Sequence, residues 1–248
     1  MKRWRYRRTA MSLHALRLFV ALVIRAALRC YVRFEVIGQR NLRDDGSIVL
    51  VANHSSHLDT VCLLAALPLR RLHRAFAAAA ADYFFRSLPR TWIASLIVNA
   101  LPFARGSNVR QSMSVCRELL EASGNILIIF PEGTRSTDGA VHQFKSGIGA
   151  LVAGRDVAVV PCYLDGAFRA WPKGLRIPRP HKVRLIAGEP RNYATRQRDK
   201  TSISAIASEL HAAVKQLGAT HEIRRTHDAE LRRRRAVLPF VDSREADA

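Results

Sequence analysis

A histidine and an aspartate with four residues between them stand in the run Asn53-His54-Ser55-Ser56-His57-Leu58-Asp59. This run follows a short apolar segment, residues 47–52, that reads as a buried strand, and precedes a helical pattern over 58–67. If the helix begins near Ser56, His54 lies in the turn and Asp59 in the first helical turn. The carboxylate then reaches one imidazole nitrogen, fixes the tautomer and leaves the other nitrogen free as a base. The bland alternative is a helix cap, because Ser56 and Asp59 also fit an S-x-x-D spacing. A metal site at His54, His57 and Asp59 lacks further ligands nearby, and no metal or other cofactor is expected.

A second apolar run, 125–130, ends in Phe130-Pro131-Glu132-Gly133-Thr134-Arg135-Ser136. Glycine permits close backbone approach, and Arg135 offers planar donors to a phosphate. Lys145, near a helix start, stands downstream and could meet the same anion. Upstream, Leu101-Pro102-Phe103-Ala104-Arg105-Gly106-Ser107 supplies a third cation after an apolar run. Each alone is also a turn with a surface charge. No G-x-S-x-G elbow and no Walker loop occurs.

Taken in order, NHSSHLD, LPFARGS, FPEGTRS and VVPCYLDG resemble the four blocks of the glycerolipid acyltransferase family, which includes the lysophosphatidic acid acyltransferases; the similarity runs over about 34–193. The resemblance implies an α/β acyltransferase domain, membrane association, an acyl-CoA or acyl-carrier-protein donor and a lysophospholipid acceptor. It also implies a role for each matching residue. His54 is the catalytic base and Asp59 its orienting partner. Arg105 binds the phosphate. Glu132, Gly133, Thr134 and Arg135 form the acceptor-binding third block. Pro161 is the fourth-block proline linked to acyl binding. The second block has Phe103-Ala104-Arg105 where the family more often has Phe-Ile-Asp-Arg. The implied reaction is direct acyl transfer to an sn-2 hydroxyl of lysophosphatidate, with amides near Gly133 as oxyanion donors.

These turns must be held by a scaffold. Further β-type runs occur at 157–163 and 182–187, with a shorter one at 100–104. The alanine-rich stretch 76–81 is ambiguous. Helical patterns cover 82–98, 108–122 (stopped by Gly124), 144–153 and the tail from 202. Alternation of strands and helices predicts an α/β fold, with a central mostly parallel or mixed sheet flanked by helices. Ligands of such sheets bind beyond the carboxyl ends of strands, where both turns lie.

The chain has 248 residues, one large domain or two small ones. The expected organisation is a basic amphipathic membrane-surface segment over 1–33, an acyltransferase domain over 34–220 and a basic tail over 221–248. Forty Lys+Arg against twenty Asp+Glu leave a net charge of +20, which calls for an anionic partner. Aromatic content of 7% leaves few stacking platforms for single-stranded nucleic acid. Cys30, Cys62, Cys116 and Cys162 form no C-x-x-C and no ligand spacing, which fits reduced thiols facing the cytoplasm.

Nine basic residues precede the first acidic one, Glu35. Arg17 and Arg25 interrupt the apolar stretch 11–32, so a span of ~20 apolar residues is not available. At about 100° per residue, His14, Arg17, Arg25, Arg29 and Arg33 share one half of a helix. That pattern predicts a monotopic helix on the cytoplasmic membrane face, its cations toward anionic headgroups. The alternative is a helix packed on the protein's own domain. Two further readings compete for the whole chain. One is acyl transfer to another lysolipid, such as a lyso-ornithine lipid. The other is a non-enzymatic basic protein binding nucleic acid or membrane, which would leave His54, Asp59 and the FPEGTRS turn idle.

Overall fold

The computed structural model describes residues 11–43, 45–80, 100–103 and 109–237. Arg105, the helical pattern over 82–98 and the residues beyond 237 lie outside them. Seven strands form one sheet: β1 (Glu35–Ile37), β2 (Ile48–Ala52), β3 (Ala75–Ala80), β4 (Ala100–Phe103), β5 (Ile126–Ile129), β6 (Ala158–Asp165) and β7 (Arg184–Ala187). Their order is β1-β7-β6-β2-β5-β3-β4. All neighbours pair parallel except β6 with β7. The sheet is therefore mixed, and the alanine run is a strand that lies between β5 and β4.

The helices are α1 (Met11–Tyr31), α2 (Asp59–Ala66), α3 (Val109–Glu121), α4 (Gly147–Val152), α5 (Ala167–Ala170) and α6 (Lys200–Val237). Strand β2 is buried along its whole length, as a central strand of an all-apolar run must be. Its alternate side chains feed two cores. Ile48, Leu50 and Ala52 pack with α2 residues Cys62, Leu63 and Leu64 and with Leu28 of α1. Val49 and Val51 pack on the other face with Met113 and Leu120 of α3, Leu151 of α4, and Leu210 and Val214 of α6. Helices α4 and α6 touch closely: a Cβ at Gly149 would lie 2.0 Å from the Ile203 carbonyl oxygen, so only glycine fits there. Helix α6 runs without interruption past residue 220, so the basic tail begins inside a helix.

The orientation of α1 corrects one expectation. Arg25 turns inward and donates to the carbonyl of Leu67, the C-cap of α2. A cation there meets the negative end of the α2 dipole and satisfies a carbonyl left free by helix termination. Arg17 is likewise half-buried, and desolvation holds its pKa below the ordinary value. Arg29 and Arg33 stay exposed, but the outward face between residues 16 and 27 is apolar: Leu16, Phe19, Leu22 and Val23 are exposed. The arginine half of the helix thus serves partly to dock α1 on its own domain. Among the described residues no helix is long and apolar enough to cross a membrane.

Candidate active site

Strand β2 delivers Asn53 and His54 to the carboxyl edge of the sheet. Asn53 is 2% exposed; its Oδ1 accepts from the Leu164 amide at 2.8 Å and its Nδ2 donates to the Leu164 carbonyl at 3.3 Å. This pair ties the end of β2 to the end of β6, so the next residue leaves the sheet from a fixed point. Nothing in the residue types had marked Asn53; its place as the first polar residue after a buried strand was the available signal.

His54 Nδ1 lies 2.8 Å from Asp59 Oδ2. The same carboxylate oxygen accepts the amides of Ser55 and Ser56, each at 2.7 Å. Asp59 is fully buried; three donors on Oδ2 offset part of the cost of its removal from water, while Oδ1 is buried with no hydrogen-bond partner among the described residues. Helix α2 begins at Asp59, later than the expected start near Ser56, with Leu58 as its N-cap and no side-chain cap bond, so the Ser56 and Asp59 bonds close the turn before the helix rather than cap it. Ser56 Oγ accepts from the Leu58 amide while Asp59 reaches back to the Ser56 amide, and the turn that this closes aims Asp59 at His54. With Nδ1–H donating to Asp59, Nε2 is the basic nitrogen. The imidazole stacks on Phe130 at 4.1 Å with planes 17° apart, and its side chain remains 23% exposed, open to a substrate on one side. Among the described residues no cluster of His, Cys, Asp and Glu could hold a metal ion.

Strand β5 delivers the 130–136 turn to the same edge, beside β2. Its Glu132 does something the sequence did not indicate. The side chain is 4% exposed, and Oε1 accepts the His54 amide at 3.0 Å. Ser136 donates its amide to the His54 carbonyl at 2.7 Å. The second turn therefore grips the backbone of His54 on both sides. Burial pushes the Glu132 carboxyl from its ordinary 4.5 up to about 7, against the opposing pull of its backbone hydrogen bonds. Glu132 touches His54's backbone, so its geometry is that of a positioning residue.

The remaining residues of the turn lie as follows. Gly133 has φ 74°, the left-handed region, and a Cβ there would come 2.7 Å from Lys145 Nζ. Lys145 is itself tied to the turn by its amide, which donates to the Pro131 carbonyl at 3.0 Å. The structure thus places the Lys145 side chain over Gly133. The Gly133 amide, however, donates to the Phe130 carbonyl at 3.1 Å, which removes it from the expected oxyanion donors. Thr134 is exposed. Arg135 Nη1 sits against the His57 ring, 2.5 Å from Nε2 and 2.9 Å from Nδ1. Burial, and then the charge of Arg135, lower the pKa of His57, which keeps this imidazole neutral and available as an acceptor. Pro161 pairs with Val51 in the middle of β6 and lies near Gly188 and Leu217, under α6 rather than with the turn.

Two consequences of the Glu132 geometry are measurable. Glu132→Ala leaves the His54 amide without its acceptor and should lower kcat by about tenfold, with KM values nearly unchanged. Glu132→Gln keeps an acceptor oxygen and should restore most of that rate. It should also flatten the pH dependence of stability. A carboxyl raised from 4.5 to about 7 on folding binds more protons in the native state between those values. Its contribution to stability is present below about pH 4.5 and is lost as pH rises through about 7. Urea unfolding at several pH values checks this: the parent should lose more stability than Glu132→Gln between pH 5 and 8. Parallel profiles would show that the carboxyl is not strained by burial.

A parallel-rich sheet with a His–Asp dyad and a cationic turn at its carboxyl edge defines the class. The Acyltransferase family model matches residues 33–165, and the chain belongs to that family. It is 32% identical over 164 residues to a chloroplastic 1-acyl-sn-glycerol-3-phosphate acyltransferase of Arabidopsis thaliana, covering 64% of this chain and 44% of that protein. It is 31% identical over 184 residues to a 1-acyl-sn-glycerol-3-phosphate acyltransferase of Chlamydomonas reinhardtii, covering 73% and 54%. The chain spans about half the length of the curated relatives it matches. The crystal structure of a 1-acyl-sn-glycerophosphate acyltransferase from Thermotoga maritima has the same fold, with a TM-score of 0.61 over 85% of each chain at 24% identity.

Proposed function

We propose that this chain transfers a fatty acyl group from an acyl thioester to the sn-2 hydroxyl of lysophosphatidate, giving phosphatidate. The observation that carries the reading is the His54–Asp59 pair at 2.8 Å, set beside the Arg135–Lys145 turn at the carboxyl edge of the sheet. The activity named for the plant and algal relatives agrees with it. His54 Nε2 takes the proton of the acceptor hydroxyl as its oxygen attacks the thioester carbonyl. The tetrahedral intermediate collapses, the carbon–sulfur bond breaks, and the thiolate recovers a proton from the imidazolium. Asp59 holds the tautomer and stabilises the imidazolium that forms between these steps. Arg135 and Lys145, with Arg105, hold the acceptor phosphate, which turns binding into orientation. Pro161 is the residue we assign to the acyl chain. The donor is acyl-CoA or acyl-carrier protein; the thioester chemistry is the same for both.

The acceptor lives in a bilayer. The apolar outward face of α1, with Leu16, Phe19, Leu22 and Val23 exposed, suits a helix lying in the membrane interface of the cytoplasmic leaflet. The test of the activity is a set of acceptors offered to the full chain in detergent, with thiol release from acyl-CoA as readout. Lysophosphatidate should exceed lyso-ornithine lipid in kcat/KM by about tenfold or more, since only the former presents a phosphate to charge-assisted donors. Equal or greater turnover of lyso-ornithine lipid would overturn the acceptor assignment.

A further inference from the structure

Residues 166–188 contain six Lys or Arg and no Asp or Glu. Proximity of this stretch to the proposed phosphate site does not account for its character: the part that protrudes, 171–181, also carries Ile177, at 72% the most exposed large hydrophobic side chain among the described residues. Lys173, Arg176 and Arg179 flank it and are exposed. An exposed isoleucine between arginines is a poor solvent loop and a good interfacial one: the apolar tip enters the headgroup boundary while the cations meet anionic headgroups.

The loop is also held in shape before any partner arrives. Arg179 donates its amide to the Ala170 carbonyl at 2.7 Å, closing the base of the loop. Trp171 Nε1 donates to the Leu175 carbonyl at 2.8 Å, bracing its first half. Tyr31 Oη, at the end of α1, donates to the Pro178 carbonyl at 2.9 Å. That last bond places the tip of the loop beside the helix whose outward face is apolar. Seven of the eight exposed large hydrophobics among the described residues belong to α1, β1 or this loop; only Ile223 of α6 stands apart. An ordered loop pays little entropy when it docks.

The loop is attached to the dyad turn. Ser56 Oγ donates to the Trp171 carbonyl at 2.8 Å, Ser56 bridges to Pro172, and the Trp171 ring lies 5.2 Å from that of His57. Ser56 and His57 lie between the two members of the dyad. We propose that the 171–181 loop is a second membrane contact, separate from α1, which binds anionic headgroups through Lys173, Arg176 and Arg179, inserts Ile177, and seats the dyad turn against the bilayer from which a lipid acceptor is drawn. The proposal rests on the membrane reading of α1 for its setting and on the loop's own residues for its content.

The test uses the full chain and phosphatidylcholine vesicles with and without phosphatidylglycerol. The Arg176→Ala/Arg179→Ala double variant should bind phosphatidylglycerol vesicles about tenfold or more weakly, at roughly fivefold per lost cation near the surface. Ile177→Asp should weaken binding to both kinds of vesicle, and Ile223→Asp should weaken neither. An Ile177→Trp side chain should be quenched by brominated phospholipid, whereas one at Ile223→Trp should not. Turnover of a monomeric short-chain lysolipid should be unchanged in the loop variants. Parent-like vesicle affinity of both loop variants, with no quenching at 177, overturns the proposal while leaving α1 as the anchor. A dimer in the parent that the loop variants dissociate, with vesicle binding unchanged, also overturns it, because the surface then joins two copies. A parent that binds no vesicle overturns the membrane reading as a whole and the loop with it.

Discussion

His54→Ala should lower the rate of acyl transfer by about 10²–10⁴-fold, the usual contribution of a positioned general base, and should leave the fold intact. The side chain is partly open and its ring bonds only Asp59 among the described residues, so its loss leaves few partners stranded. Asp59→Asn should also cripple turnover. Asparagine replaces one carboxylate oxygen by NH2 and removes the charge, so the three donors on Oδ2 are left with at best an uncharged acceptor and the imidazole loses the charge that fixes its tautomer. Because Asp59 is buried with those donors, Asp59→Ala would unfold the turn, and asparagine is the informative change. His57→Ala should cost far less in kcat than either. Its ring lies against Arg135, and burial with that charge lowers its pKa. Steady-state kinetics with circular dichroism of each variant make the comparison. Equal losses for His54 and His57, together with a requirement for added metal, would sink the dyad.

Arg135→Ala should raise KM for lysophosphatidate by roughly tenfold or more, because a charge-assisted hydrogen bond is worth ~1.5–3 kcal/mol. The simplest alternative is a surface pair with Glu132 or Asp138. Glu132 is buried against His54, and Asp138 is bonded to the Ser136 hydroxyl at 2.6 Å. Arg135 also lies on the His57 imidazole, whose pKa burial and that charge lower, and the ring orients the guanidinium. KM for the acyl donor should change little. Arg135→Lys should recover only part of the loss, since a point charge does not reproduce the planar fork. Initial rates with each substrate varied in turn decide it. Unchanged acceptor KM and kcat in Arg135→Ala would show that the phosphate is bound elsewhere.

The strands of the sheet centre were legible because their side chains are apolar at every position; residues 47–52 and 125–130 contain β2 and β5 almost to the residue. The dyad was legible because five positions across a strand-to-helix turn suffice to close it. What the sequence hid were contacts that depend on register between distant segments. Glu132 reads as one more polar residue of a conspicuous turn, yet β5 lies beside β2 in a register that carries its carboxylate to the His54 amide. The facing of α1 was hidden for a similar reason. Helical periodicity separates an arginine half from an apolar half, but it does not say which half meets the domain. The Leu67 carbonyl, 42 residues away, decides that Arg25 turns inward. Strand β1 escaped notice because three residues are too short for a periodic signal.

The central claim is that the His54–Asp59 pair passes an acyl group from a thioester to lysophosphatidate. It is tested most directly by mass spectrometry of the lipid product. The full chain is given isotopically labelled acyl-CoA and 1-acyl lysophosphatidate in phosphatidylglycerol-containing vesicles, beside a His54→Ala control. Labelled phosphatidate with the label at sn-2, formed in step with free thiol and absent from the control, is the predicted result. Free thiol with labelled fatty acid and no labelled phosphatidate, or the same phosphatidate from the His54→Ala protein, would contradict it.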